Sequence, residues 1–308
     1  MLDVGKLDSF SIFSQHGEDG LLWSLFREIA SVMPISKTCV DVGAGNGTRW
    51  SNTAHLITMH NWTGVLIEPS RKEFRKLKNY AGRYQSLALR KYVTAHGESS
   101  LDRLLQSTSI PSDFDLLSID VDGDEINILR ELSAYFPKVI VVEFNPTFPN
   151  EIEHLSTLSE TGHSGSSLRA VYNALVDKGY SPLAVVGVNL IALRSDISNV
   201  LLDDKIFTID ELRDDTEFRV YASVGYDGKL YLSNTLQFPW HGFVIHSATR
   251  SFLPKYLVGF PPNYSTIQFL LFGVHLLVGR PSFLKSTREL ARQKLTERVR
   301  TLFSNQNK

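Results

Sequence analysis

"TCVDVGAGNG", residues 38 to 47, is an apolar run that carries one acid, Asp41, and breaks into three glycines. Apolar residues leading into a glycine cluster read as a buried strand that ends in a tight turn. Working outward, strand-like and helix-like stretches alternate between about residues 20 and 145. "LLWSLFREIASVM" from Leu21 has helical spacing before the strand, and "WSNTAHLITMH" has it after. "TGVLIEP" is a second strand closed by Pro69, followed by "SRKEFRKLKNYA" with Ser70 as the expected N-cap. A weaker third strand lies around "SLALRKYV", followed by a short helix "SSLDRLLQ". "DFDLLSIDV" and "KVIVVEF" are the fourth and fifth strands, separated by the helix "DEINILRELSAYF". Downstream, "SSLRAVYNALVDKGY" is a helix closing at Gly179, and "PLAVVG" and "NLIALR" form an antiparallel pair around Gly187. Such alternation with continuous apolar strands implies an α/β fold, its mostly parallel sheet covered on both faces and ending in an antiparallel hairpin. Beyond about residue 200 the regularity fades. The expected organisation is one domain over residues 1–198 and a C-terminal extension over 199–308.

The chain has 308 residues, 43% hydrophobic and 21% charged, with a formal net charge of −1. That is ordinary globular composition, without the global basic field that nucleic acid attracts. Cys39 is the single cysteine, so no internal disulfide framework exists, and it reads as a strand core residue. The N-terminus lacks a basic region followed by an apolar core, so a cytoplasmic setting is expected and the sequons at Asn46, Asn61 and Asn263 carry little weight. The longest apolar stretch, "IQFLLFGVHLLVG" from Ile267, has 13 residues. That is short of the ~20 needed to span a bilayer.

The glycine loop narrows the ligand. Its spacing is G-x-G-x-G, whereas a dinucleotide fingerprint uses G-x-G-x-x-G to seat a pyrophosphate. Asp41 would repel a diphosphate but suits the ammonium end of S-adenosylmethionine. Glu68, 21 residues past Gly47, ends the second strand, where it can accept both ribose hydroxyls. No tyrosine has a lysine four residues on, the pair expected of short-chain nicotinamide enzymes. The competing reading is turn chemistry alone.

The fourth strand ends in four acids, Asp120, Asp122, Asp124 and Glu125. In a doubly wound sheet, ligands bind beyond the carboxyl ends of the strands. Asp120 there meets Glu143 and Asn145 from the fifth strand, and three oxygen donors with open water positions would suit Mg²⁺. A metal there would grip the acceptor's hydroxyls and lower the pKa of the attacking one. Asp122 and His163, the latter on the "TGHSGSS" loop, are the candidate bases. Duller readings stand beside these. Asp120 can hydrogen-bond the cofactor's amino group, Asp124 and Glu125 can serve the next helix's N-terminus, and His163 can be a solvated loop residue.

Several stretches together resemble the FkbM-like branch of S-adenosylmethionine-dependent methyltransferases, often found with surface-polysaccharide biosynthesis. They are "SQHGEDG" (Ser14 to Gly20), "DVGAGNGTRWSNT" (Asp41 to Thr53), "WTGVLIEPS" (Trp62 to Ser70), "SIDVDGDE" (Ser118 to Glu125), "VEFNPTFP" (Val142 to Pro149) and "GVNLIALR" (Gly187 to Arg194). The resemblance runs from about residue 10 to 195. It implies a class I methyltransferase fold, Rossmann-like, and O-methylation of a sugar or related hydroxyl. It implies cofactor contacts at Gly43, Gly45, Asn52 and Glu68, and it suggests that Gln15 and His16 fold over the cofactor or acceptor site. Glu18 and Asp19 read independently as N-terminal helix charges. One alternative is methylation of another small hydroxylated metabolite, and a different-class alternative is a non-catalytic scaffold of a glycan-assembly complex.

From Pro281, the spacing puts Leu284, Ala291, Leu295, Val299 and Leu302 on one helical face. Lys285, Arg288, Arg292, Lys294, Arg298 and Arg300 stand against Glu289 and Glu297. Such a helix can lie on an anionic membrane surface, or pack on its own domain or on a second subunit of a homo-oligomer.

Overall fold

A computed structural model describes residues 2–121, 123–156, 164–246, 250–251 and 254–278. The chain divides into two compact units, Met1–Arg219 and Val220–Lys308. The first unit therefore runs past residue 198, because the helices Ser195–Leu202 and Ile209–Leu212 bury apolar side chains in it.

The first unit follows the expected alternation: α1 (Glu18–Val32), β1 (Thr38–Val42), α2 (Ala54–His60), β2 (Thr63–Ile67), α3 (Arg71–Arg83), β3 (Leu87–Leu89), α4 (Leu101–Gln106), β4 (Leu116–Ile119), α5 (Glu125–Glu131), β5 (Val139–Glu143), α6 (Leu168–Asp177), β6 (Tyr180–Val186), β7 (Asn189–Arg194), α7 (Ser195–Leu202) and α8 (Ile209–Leu212). Seven strands form one sheet in the order β3-β2-β1-β4-β5-β7-β6. The β1–β5 pairings are parallel, and β7 inserts antiparallel between β5 and β6. This is the α/β class I methyltransferase sheet, with the reversal at its β6–β7 edge.

Side chains alternate across the sheet because the strand period is two. Val40, Val42, Leu117, Ile119, Ile140 and Val142 face a core shared with α4, α5 and α6. Cys39, Leu66, Leu116, Val139 and Val141 face the other core, shared with α1, α2, α3 and α7. Both faces are covered, so β4 is buried along its whole length, which is why its sequence reads as an unbroken apolar run. Cys39 is fully buried, and burial, with Asp41 and Asp115 nearby, pushes its thiol pKa well up. It is an inert core residue, as expected.

At the amino end of the sheet, Lys138 leads into β5 with its Nζ 2.9 Å from Asp115 Oδ1, both side chains almost completely buried. Asp115 Oδ2 accepts from Ser36 Oγ (2.8 Å) and from the Thr38 amide (3.0 Å). One carboxylate thus fixes the starts of β1, β4 and β5.

The second unit contains β8 (Ala222–Val224), β9 (Lys229–Leu232), β10 (Leu236–Phe238), β11 (Phe243–Ile245), β12 (Arg250–Ser251) and α9 (Thr266–Val278). β12, β9 and β8 form one antiparallel sheet, and β10 pairs with β11. Among the described residues no helix is long and apolar enough to cross a membrane. The basic stretch from Pro281 lies outside the described residues.

Removing the Lys138 charge leaves a buried carboxylate without its cation. K138M is expected to cost about 3–5 kcal/mol of unfolding free energy in urea titrations. The double variant D115N/K138M is expected to recover much of that loss.

Candidate functional site

The glycine loop is built by close backbone approach. Gly43, at φ 90°, lies so near β4 that a Cβ there would collide with the Asp120 carbonyl. The Gly43 and Ala44 amides both donate to the Ile67 carbonyl at 3.0 Å, tying the ends of β1 and β2 together. Gly45, at φ 53°, differs: no atom lies within 4 Å of where its Cβ would stand, so its outer side is open. Its amide donates to Glu68 Oε2 (3.0 Å), while the Ser70 amide donates to Glu68 Oε1 (2.6 Å). Two backbone amides thereby fix the Glu68 carboxylate at the loop's flank. Burial nevertheless raises its pKa, against the pull of those amides.

Asp41 is buried on the α1–α2 face of β1, and its Oδ2 accepts from Thr53 Oγ1 (2.7 Å) and Ser51 Oγ (3.3 Å). Burial lifts its pKa to about 6; the Thr53 and Ser51 hydroxyls oppose the shift, and the charges of Asp120 and Glu68 add to it. Two further carboxylates therefore bear on Asp41 at the loop, an arrangement that a cationic ligand relieves. Asn52 is buried in the same corner and donates to Ser118 Oγ at 3.2 Å. It holds β4 against the segment leading into α2.

The "SQHGEDG" segment contains structure that a helix-charge reading misses. Glu18 and Asp19 are 0% and 1% exposed. Asp19 Oδ2 accepts from the amides of Ile12 (2.6 Å), Phe13 (2.7 Å) and Ser14 (3.1 Å). Glu18 Oε2 accepts from the His16 amide (2.8 Å), and its Oε1 accepts from Asn189 Nδ2 (2.8 Å). Asn189 opens β7 and is the register partner of Glu143, and the His16 side chain lies against Gly187. These carboxylates are anchors that fasten the segment beside the carboxyl end of β5. Gln15 and His16 are exposed on it.

At the rim, Asp120 follows β4 and is exposed, while Glu143 ends β5 half-buried. Glu125 is turned back to its own loop, accepting from the amides of Gly123 (2.7 Å) and Val121 (3.3 Å). Asp124 occupies the N-cap of α5 without a side-chain cap hydrogen bond, its Oδ1 accepting instead from Asn127 Nδ2 (2.8 Å). Asp122 and His163, the candidate bases, lie outside the described residues. The metal reading finds no support: among the described residues no three His, Cys, Asp or Glu side chains gather as a metal site. Asn145 has the opposite task from the one expected. Its Oδ1 accepts from the Thr147 amide (2.9 Å) and Thr147 Oγ1 (2.7 Å), and its Nδ2 donates to the Ser164 carbonyl (2.6 Å). Both lone pairs of the expected ligand atom are engaged in shaping the loop.

Sequence reasoning missed the residues that hold the loop after β5. Arg213 donates to the carbonyls of Phe148 (3.0 Å) and Pro146, and Asp215, 1% exposed, accepts from the Asn150 amide (2.6 Å). Arg169 Nε donates to the Asn150 carbonyl (2.6 Å). The available signal was T-I-D-E at Thr208–Glu211, a capping box that marks α8 and shows the fold continuing.

The sheet order is that of the class I methyltransferase fold, and the glycine loop and the Asp41–Glu68 pair lie at the carboxyl ends of its β1 and β2. The methyltransferase FkbM domain family matches residues 94–182, from before α4 into β6, and this stretch of the chain is similar to that family. No curated protein matches the chain. Among solved structures, the chain resembles magnesium protoporphyrin IX methyltransferase from Synechocystis PCC 6803 with bound SAH (14% identity, 58% of this chain and 81% of that one, TM-score 0.38). It also resembles Aeropyrum pernix fibrillarin with natively bound S-adenosyl-L-methionine (12% identity, 52% and 67%, TM-score 0.37). A third likeness is to a SAM-dependent methyltransferase from Aquifex aeolicus (15% identity, 63% and 100%, TM-score 0.37).

Two outcomes are expected. Asp41 titrates near 6 in the fold but near ~3.9 when unfolded. The stability it contributes is therefore full below about pH 4 and lost as pH rises through about 6. Without cofactor, D41N is expected to exceed the parent by about 2–3 kcal/mol at neutral pH in denaturant titrations, and to match it in acid. R213A leaves the Pro146 and Phe148 carbonyls without their donor, and is expected to cost about 1–3 kcal/mol and to expose the 146–150 loop to limited proteolysis. R213K is expected not to rescue it, since an ammonium lacks the planar fork.

Proposed function

We propose that the protein transfers a methyl group from S-adenosylmethionine to a sugar hydroxyl, in the assembly of a surface polysaccharide or another glycan. The observation that carries this reading is the acidic rim: Asp120 and Glu143 follow neighbouring parallel strands, β4 and β5, with Gly43 against Asp120 and the Glu18-anchored segment beside Glu143. Asp41, Gly43, Gly45, Asn52 and Glu68 form the cofactor side, with Asp120 and the exposed Gln15 at its edge. The open flank of Gly45 and the carboxylate-rich surround fit a ligand that carries an ammonium and a sulfonium. When bound, S-adenosylmethionine supplies the electrophilic methyl group.

The protein's own part is to orient the acceptor and take its proton. Carboxylates at the rim accept hydrogen bonds from adjacent sugar hydroxyls, and Glu143 fixes the reacting one. Asp122 and His163 are the bases proposed to receive the proton. Holding the acceptor oxygen in line with the methyl group supplies a large share of the acceleration. Divalent-cation assistance is a separate question, answered by a chelator arm in the same assay.

The test is transfer of labelled methyl from S-adenosylmethionine to a panel of free sugars, nucleotide sugars and glycan fragments. At least one sugar hydroxyl is expected to be labelled. E143Q is expected to lower the rate by about a hundredfold or more while S-adenosylhomocysteine affinity stays unchanged. Labelling of non-sugar acceptors alone would defeat the sugar reading. Loss of cofactor affinity in E143Q would overturn the division between the two sides of the site.

A further inference from the structure

Among its described residues, the second unit exposes an apolar helix face. Along α9, Ile267, Leu270, Leu271 and Val274 are exposed, Ile267 by 70% and Leu270 by 66%. Their spacing, i, i+3, i+4 and i+7, is the stripe that a helix normally turns to a core. On the other face of α9, Phe272 is half-buried and its ring packs against Tyr264. The helix is thus attached by one face while the aliphatic stripe points outward. The same unit exposes Trp240 by 67% and Phe243 by 68% at the β10–β11 hairpin, and Tyr226 stands largely exposed against Phe260.

Charge is distributed with the same asymmetry. Residues 220–308 hold eleven Lys and Arg against three Asp and Glu, a formal +8, leaving −9 on residues 1–219 within the chain's −1. Asp227, one of those three acids, is paired with Lys229 at 3.0 Å. Eight of the eleven basic residues follow α9 in sequence, between Arg280 and Lys308.

We propose that this unit docks on an anionic lipid surface, with the exposed stripe of α9 entering the interface and the net positive charge of residues 220–308 drawing it there. The pattern favours lipid because an aliphatic stripe, exposed aromatics and adjoining positive charge are what a bilayer interface binds together. The apolar run from Ile267 to Gly279 has 13 residues, about 20 Å of helix at ~1.5 Å per residue, short of the ~30 Å hydrocarbon core, so it suits the surface and not a span. Docking would place a methyltransferase next to acceptors carried on lipid, although the inference does not depend on the acceptor.

The experiment is co-sedimentation of the full chain with vesicles of phosphatidylcholine alone, and of phosphatidylcholine and phosphatidylglycerol in equal parts, at low and high salt. The full chain is expected to bind the anionic vesicles, with affinity at least about tenfold lower for neutral vesicles or at high salt. L270D/V274D is expected to lose at least about tenfold in vesicle affinity with unchanged affinity for S-adenosylhomocysteine. Both substitutions fall on exposed positions; circular dichroism and limited proteolysis report whether the second unit keeps its fold, and the cofactor readout does so for the first. Absence of vesicle binding, or binding that the double variant leaves unchanged, would overturn the proposal. So would a dimer, seen by light scattering, that L270D/V274D dissolves while vesicles fail to bind, since a second copy would then be the occupant. Neither readout uses methyl transfer, so a wrong acceptor and a wrong docking surface give different results.

Discussion

Between Gly43 and the Asp120 carbonyl there is no room for even one methyl group. That contact seats the end of β1 against the end of β4, and the site is assembled around it. It brings the loop's amides to the Ile67 carbonyl, sets Gly45 with an open flank beside Glu68, and places Asp120 where it bears on Asp41. A larger residue at position 43 would separate the two strand ends and move the glycine loop away from Asp120.

The two ends of the sheet treat buried charge in opposite ways. At the amino end, Asp115 is neutralised by Lys138 and two further donors, which makes it a structural pin. At the carboxyl end, Glu68 and Asp120 bear on Asp41, and burial pushes Asp41 and Glu68 toward protonation. Such an arrangement costs stability in the free protein and is relieved by a cation-bearing ligand, as binding sites commonly are. The N-terminal segment is a third case. Glu18 and Asp19 lie buried with backbone amides and Asn189 donating to them, which converts two acids into a clasp at the start of β7.

Much of this was legible because local pattern and fold agree. The apolar runs at β1, β2, β4 and β5 belong to a sheet covered on both faces, and Gly187 marks the hairpin. The third strand shrank from "SLALRKYV" to Leu87–Leu89 because it is an edge, with one neighbour and little burial. What stayed hidden depends on distant partners. Glu18 and Asn189 are 171 residues apart, and Asn150 and Asp215 are 65 apart. No local pattern reports such pairs, so Glu18 read as a helix charge, and residues 199–219 read as the start of an extension. Asn145 misled for a related reason: at a strand end an amide oxygen looks like a ligand, until its own turn is seen to occupy both lone pairs.

The carboxylates around the glycine loop are proposed to hold S-adenosylmethionine. Calorimetric titration of the purified protein with S-adenosylhomocysteine, repeated with Mg²⁺ and with a chelator, tests this. Binding is expected on the order of micromolar, ~8 kcal/mol, whether or not metal is present, and at least about tenfold weaker in E68Q. No binding under any of these conditions would show that the loop does not seat this cofactor.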